Sequence, residues 1–282
     1  MKLAIGAPWY SGPDENTAFA YMDFMAYLGA LRERTLWRER LGREVFTEVV
    51  PQMPPLGEGR FPLADPQDEE EWDRLGELEL LLIDRTRISL VGKARDLIVG
   101  DAMDHGADWL LWWDADIRFD HDAFLQLWRN QKLVCGALAF TARHPIHPVL
   151  YRMRSHWDEM AGMQKIDGSD VILDYPRDTL LTHEALAFGA GMVLYDMRVF
   201  REVPEPWFSS TGCGEDWFFC HRCMEHGIER WVDTRVKVAH KEHQARWANE
   251  GSYWHEREAA RQSYVDLFGT GITVVKEGEV QA

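Results

Sequence analysis

The stretch Ala107–Asp122, ADWLLWWDADIRFDHD, drives an apolar run into four closely spaced aspartates, Asp114, Asp116, Asp120 and Asp122. Residues 109–113, WLLWW, are apolar at every position. A strand of that kind must be covered on both faces, which is the pattern of a central strand in a layered sheet. The carboxylates that follow repel one another and call for water or a cation.

Working outward, VGKARDLIVGDAMDHG upstream places Ala94, Leu97, Ile98, Ala102 and Met103 on one helical face, with Gly106 closing the helix. Downstream, DHDAFLQLWRN restarts a helix with Asp120 as its cap and Phe124, Leu127 and Trp128 turned inward. KLVCGALAF is a further buried strand, and KLAIGAP at the start is a first one. The predicted fold class is therefore α/β, a mostly parallel central sheet flanked by helices. Asn16–Gly42 has helical spacing, EVFTEVV is strand-like, 51–66 is a Pro/Gly-rich loop, and DPQDEEEWD opens a solvated helix. Beyond TARHPIHPVLYR the signals are short and mixed until AFGAGMVLYDMRVF, which reads as a glycine approach to a strand and helix. GEDWFFCHRCMEHG is a compact helix, RVKVAH a strand ending in His240, and SYWHEREAARQSYVDLFG a last helix.

The 282 residues are 46% hydrophobic and 12% aromatic, enough for a sizeable core. With 31 basic and 47 acidic residues the net charge is −16, which argues against a general nucleic-acid binder. It leaves room for a local phosphate site if a metal supplies the missing charge. The opening MKLAIGAPWYSG is a poor signal peptide, and no window reaches the ~18 apolar residues of a membrane span. Cys135, Cys213, Cys220 and Cys223 do not make a disulfide framework in a chain this long, so a reduced, cytoplasmic setting is expected. The single Cys-x-x-Cys lies in a helix pattern and reads as buried thiols rather than a zinc site.

In open α/β sheets ligands collect beyond the carboxyl ends of the strands. Asp114 and Asp116, one residue apart where WLLWW ends, can aim at one hard cation. The second copy of the spacing, Asp120 and Asp122, opens an amphipathic run and is assigned to capping. Trp112 and Trp113 are assigned to the core. Glu215 and Asp216 follow Gly214 at a helix start, whose positive end favours carboxylates, and Asp216 is a candidate general base. On that helix Asp216, Phe219, Cys220 and Cys223 form one stripe. His240 closes a strand and could add an imidazole to the same cation, with His243 as a competitor.

Taken in order, KARDLIVGDAMDHGADWLLWWDAD, FGAGMVLYDMRVF, GEDWFFCHR and VAH resemble a metal-dependent glycosyltransferase of the GT-A fold, closest to the family-2-like enzymes. The resemblance spans about half the chain. It implies a GT-A-like domain over residues 1–245 with a C-terminal helical extension, 246–282, packed on it. It implies Mn²⁺ or Mg²⁺ on the donor diphosphate at Asp114 and Asp116, with His240 completing the metal site. Gly189, Ala190 and Gly191 would form the loop near the donor sugar, Asp216 the base, and Glu215 an acceptor contact. Arg95 would lie near the nucleotide, and Ala7, Pro8 and Tyr10 would shape the base and ribose pocket. Glu44–Leu90 is longer and more acidic than the usual nucleotide-binding half.

The expected reaction is transfer from a UDP- or GDP-sugar to an acceptor hydroxyl, with inversion favoured and retention open. Glycan, lipid-linked glycan, protein, small molecule and a hydroxylated base in phage-type DNA all stay open as acceptors. A DNA groove would draw on Arg143, Arg152 and Arg154. A nucleotidyltransferase of related fold is the rival enzyme, but GAPWYSGPDEN lacks the basic residue of a triphosphate loop. A non-catalytic sugar-binding module would leave the ordered acid pair after Gly214 without a purpose.

Overall fold

The computed structural model describes residues 1–7, 22, 24–25, 27–29, 69–84, 90–142, 145–159, 163–209, 214–241, 247–255 and 257. Its strands are β1 (Lys2–Ala7), β2 (Glu79–Asp84), β3 (Trp109–Trp113), β4 (Ile117–Phe119), β5 (Val134–Ala137), β6 (Leu150–Asp158), β7 (Met163–Val171), β8 (Leu180–Thr182), β9 (Leu186–Phe188), β10 (Met192–Asp196), β11 (Trp231–Asp233), β12 (Val238–Lys241) and β13 (Trp247–Ala248). The helices are α1 (Glu69–Gly76), α2 (Val91–Asp104), α3 (Ala123–Arg129), α4 (Val199–Glu202) and α5 (Glu215–Glu225).

The central sheet has seven strands in the order β2-β1-β3-β10-β5-β11-β8. β1 runs parallel to β2 and β3, and β11 parallel to β5. β10 lies antiparallel between β3 and β5, and β8 is antiparallel to β11. Five strands thus share one direction, and the mostly parallel α/β sheet expected from the sequence is present.

Every residue of β3 is buried, and its side chains alternate between two cores. Leu110 and Trp112 join Ile98 of α2 and Phe219 of α5. Trp109, Leu111 and Trp113 join Phe124, Leu127 and Trp128 of α3. Helices therefore cover both faces, as a wholly apolar strand requires. Gly6 lets α2 close on β1: a Cβ there would lie 2.5 Å from Ile98 Cγ2.

Three local readings change. α3 begins at Ala123, so Asp122 rather than Asp120 holds the cap position. Asp120 instead contributes its carbonyl, which accepts from Ala123 N at 3.0 Å. The segment after TARHPIHPVLYR, which showed no clear pattern, forms a long hairpin of β6 and β7 with β9 on its other side. Its strands, LYRMRSHWD and MQKIDGSDV, carry charges at solvent positions and hide the alternation. On β6, Arg154 faces Asp170 at 3.6 Å, so the basic groove that the sequence left open is partly neutralised, and Arg143 lies outside the described residues.

After His240 the chain returns as β13, which pairs with β12 opposite His240, and residues 250–255 are helical. Tyr253 of that helix is fully buried and its hydroxyl donates to the Leu173 carbonyl. Glu250 accepts from Arg177, Lys237 and Tyr175, tying the same turn to the segment before β8 and to the residue that precedes β12. No helix among the described residues is long and apolar enough to cross a membrane.

Candidate active site

β3 delivers Asp114 to the carboxyl end of the sheet, where its backbone N–H donates to Gly191 O at 2.9 Å. Residues 115–116 turn the chain, and the Asp114 carbonyl accepts from Ile117 N at 3.1 Å to start β4. β4 then pairs with β12, which sets His240 opposite Ile117. His240 Nδ1 lies 2.8 Å from the Phe140 carbonyl oxygen and its Nε2 lies 3.0 Å from Asp116 Oδ2. A carbonyl only accepts, so Nδ1 carries the hydrogen. In the neutral ring the Nε2 lone pair would face a carboxylate, and a proton or a cation must lie between them. Burial works against charge on His240, but the bond and charge of Asp116 outweigh it and raise its pKa.

Arg95 reaches this end from α2 and is only 2% exposed. Its Nη2 donates to Asp114 Oδ1 at 3.1 Å and lies 3.5 Å from Glu215 Oε1. Its guanidinium sits over the rings of Trp112, 4.8 Å from the centroid, and Phe208, 5.7 Å away. The Asp114 side chain is 32% exposed, yet its carboxyl is pushed up to about 6. Burial is the main cause, opposed by Arg95 and reinforced by repulsion from Asp116.

α5 starts after Gly214, whose φ of 93° is the left-handed geometry a side chain would resist. Its first turn carries Glu215 and Asp216. Asp216 Oδ1 accepts from Trp217 N at 2.8 Å. Burial raises the Asp216 carboxyl above the ordinary range, while Arg95 lowers it and Glu215 raises it further. The backbone of Ala190 also bonds this carboxylate. A Cβ on Gly189 would stand 3.6 Å from Asp216 Oδ2 and 2.7 Å from Val149 Cγ1, so this loop packs closely against the base candidate. The predicted stripe is also present: Phe219, Cys220 and Cys223 are the buried residues of α5.

Most of the expected residues thus meet at one sheet end: Arg95, Asp114, Asp116, Gly189 to Gly191, Glu215, Asp216 and His240. Ala7 ends β1 at the same edge, in register with Asp84, a carboxylate position not singled out from the sequence. Pro8, Tyr10, Cys213 and His243 lie outside the described residues. Two arrangements were not foreseen. Arg95 is buried against the carboxylates of Asp114 and Glu215. The metal candidates form a His240–Asp116 pair with Asp114 turned to Arg95, and no three His, Cys, Asp or Glu side chains among the described residues are grouped to hold an ion. Asp114 accepts from Arg95 and from the Trp112 indole N–H, at 3.2 Å.

Sequence reasoning missed Phe208, which stacks on Trp112 with centroids 6.3 Å apart, and Tyr151, whose ring lies 4.5 Å from that of Trp217. Neither carries a motif; only the fold brings them near the acids. A cavity of about 470 Å³ adjoins the cluster through Phe140 and Ala239, with Arg118, Asp120 and Lys237 also on its wall.

No family model and no curated protein matches the chain. Among solved structures it is similar to A197 from STIV at 11% identity over 88% of this chain and 94% of that one, with a TM-score of 0.42. It is also similar to GalNAc-T7 with UDP, GalNAc and Mn²⁺, at 12% identity over 86% of this chain and 44% of that one, TM-score 0.41. UDP-glucose pyrophosphorylase complexed with UDP-glucose aligns at 11% identity over 94% and 99% of the two chains, TM-score 0.36. Likenesses this distant assign no activity. By its own strand order, and by the acids closing its central strand, the fold is GT-A-like.

Proposed function

We propose that the chain is a glycosyltransferase that moves a sugar from a nucleoside-diphosphate donor, a UDP- or GDP-sugar, to an acceptor hydroxyl. The observation that supports this most is the gathering of Asp114, Glu215 and Asp216 around one buried guanidinium at the carboxyl end of the sheet, with Asp116 beside Asp114 and paired with His240. Four formal negative charges against Arg95 leave an excess of three, or two with His240 protonated. A diphosphate approaches such a site only with a divalent cation between the like charges.

The residues fit that ion by donor chemistry. Asp116 is 51% exposed, and His240 already has its Nδ1–H committed to a carbonyl, the arrangement that frees Nε2 for a metal. Carboxylate oxygens with one imidazole suit Mn²⁺, and Mg²⁺ through the oxygens alone. Asp116 and His240, joined by Asp114 once its carboxylate is drawn from Arg95, would hold the ion, which when bound would act as a Lewis acid toward the departing nucleoside diphosphate.

Asp216 is the base in this reading. It takes the acceptor hydroxyl proton as that oxygen bonds to the anomeric carbon and the bond to the diphosphate oxygen breaks, leaving the proton on the carboxylate. The first turn of α5 holds Asp216 still, and its burial-raised pKa brings it nearer to a hydroxyl's needs. Glu215 beside it orients the acceptor. Gly189 keeps a side chain away from Asp216, and Gly189, Ala190 and Gly191 form the loop near the donor sugar. Ala7, Pro8 and Tyr10 border the nucleotide, and residues 246–282 form an extension to the domain of residues 1–245.

Asp216→Asn tests the reading. Turnover should fall about 10²–10⁴-fold while donor nucleotide affinity stays near that of the parent. Normal turnover would remove Asp216 as the base, and NMR of the product's anomeric configuration would show whether the reaction inverts.

A further inference from the structure

We infer that Arg95 is a shared counter-ion through which cation occupancy at Asp114 is transmitted to Glu215, making it a positioning residue that links the donor and acceptor sides. This rests on the metal-dependent reading above. One nitrogen, Nη2, serves both acids: Asp114 Oδ1 at 3.1 Å from the end of β3 and Glu215 Oε1 at 3.5 Å from the start of α5. These carboxylates are 101 positions apart in the chain, and this guanidinium joins them. Whatever weakens one pairing strengthens the other.

The surroundings limit what else Arg95 can do. Trp112 and Phe208, stacked with planes inclined by 25°, both lie against the guanidinium and hold it beside the two acids. Its Nε and Nη1 are buried with no hydrogen-bond partner. A buried ion pair is often no better for stability than apolar residues of similar volume in place of both partners, so packing alone does not explain a cation here. The charge is accounted for by its action on the two carboxylates. When a cation draws on Asp114, Nη2 is released toward Glu215 and fixes the acid beside Asp216. By reciprocity, a change at Glu215 must alter the cation affinity at Asp114.

The test is an EPR titration of Mn²⁺ into the full chain without nucleotide, for the parent, Glu215→Gln, Arg95→Met and the double variant, with melting curves to confirm folding. In the parent background Glu215→Gln frees Arg95 to pair with Asp114 and weakens Mn²⁺ binding by roughly 5-fold or more. In the Arg95→Met background the same change has a clearly smaller effect. Equal factors in both backgrounds would overturn the relay and leave the metal site standing. No Mn²⁺ binding in any variant would remove the metal reading, and the relay with it. If Arg95→Met does not fold, ¹⁵N spectra of the parent guanidinium, assigned with Arg95→Lys, decide the matter: Mg²⁺ must shift the Arg95 Nη signals, and an unmoved signal in a Mg²⁺-bound chain contradicts the proposal.

Discussion

His240 Nε2 lies 3.0 Å from Asp116 Oδ2, and the β4–β12 ladder fixes that distance. Lys241 N donates to Asp116 O at 3.0 Å, so backbone bonds on either side clamp the two residues together. The imidazole is therefore aimed before any ligand arrives, which lowers the ordering cost of binding one.

His240→Ala should weaken Mn²⁺ binding by roughly 10–100-fold, since the aimed nitrogen is lost while the ladder remains. Isothermal titration of the variant checks this. An unchanged affinity would take His240 out of the metal set.

Gly189→Ala should lower both stability and turnover. The new methyl would lie 2.7 Å from Val149 Cγ1, a short branched side chain that cannot fold away, and next to the Asp216 carboxylate. Overpacking of this kind costs about 1–3 kcal/mol. Urea unfolding measures the first effect. Because the strained loop bonds Asp216, turnover should fall even at temperatures where the variant is fully folded.

His147 gives a pH dependence with a definite sign. Burial holds its pKa below the ordinary 6.5, although its Nδ1 is bonded to the Pro148 carbonyl. The unfolded chain then binds this proton at a higher pH than the folded one, so the contribution is present above pH about 6.5 and is lost as pH falls from there through the folded value. His147→Asn should show a smaller drop in urea midpoint between pH 7.5 and pH 5.5 than the parent. An identical drop would mean that His147 does not titrate as its burial implies.

What was legible in the sequence follows from the range of the interactions. WLLWW announces a doubly covered strand because burial on both faces leaves no polar position, and Gly214 before two acids announces a helix start because the backbone geometry and the helix end act within three residues. The antiparallel insertion of β10 between β3 and β5 has no local signature. Nor does the β6–β7 hairpin, whose solvent-facing charges mask its period. At the site, the positions of Asp114, Asp116, Glu215, Asp216 and His240 at element ends could be read, but their partners could not. Arg95 meets Asp114 across 19 positions and Glu215 across a much longer span, and the Phe208 ring that encloses it comes from another segment again. The carboxylate partners of Arg95 are for that reason visible only in the fold.

The most direct test of the acid cluster as a cation-bridged diphosphate site is a thermal-shift panel of UDP, GDP, CDP and dTDP, each with Mn²⁺ and with chelator. A ligand at 100 times its Kd adds about 2.7 kcal/mol to stability, which is readily seen in the melting temperature. One nucleoside diphosphate should raise Tm with Mn²⁺ alone, and Asp116→Asn should abolish the rise. Stabilisation that survives the chelator, or no response to any of the four with Mn²⁺ present, would contradict the account.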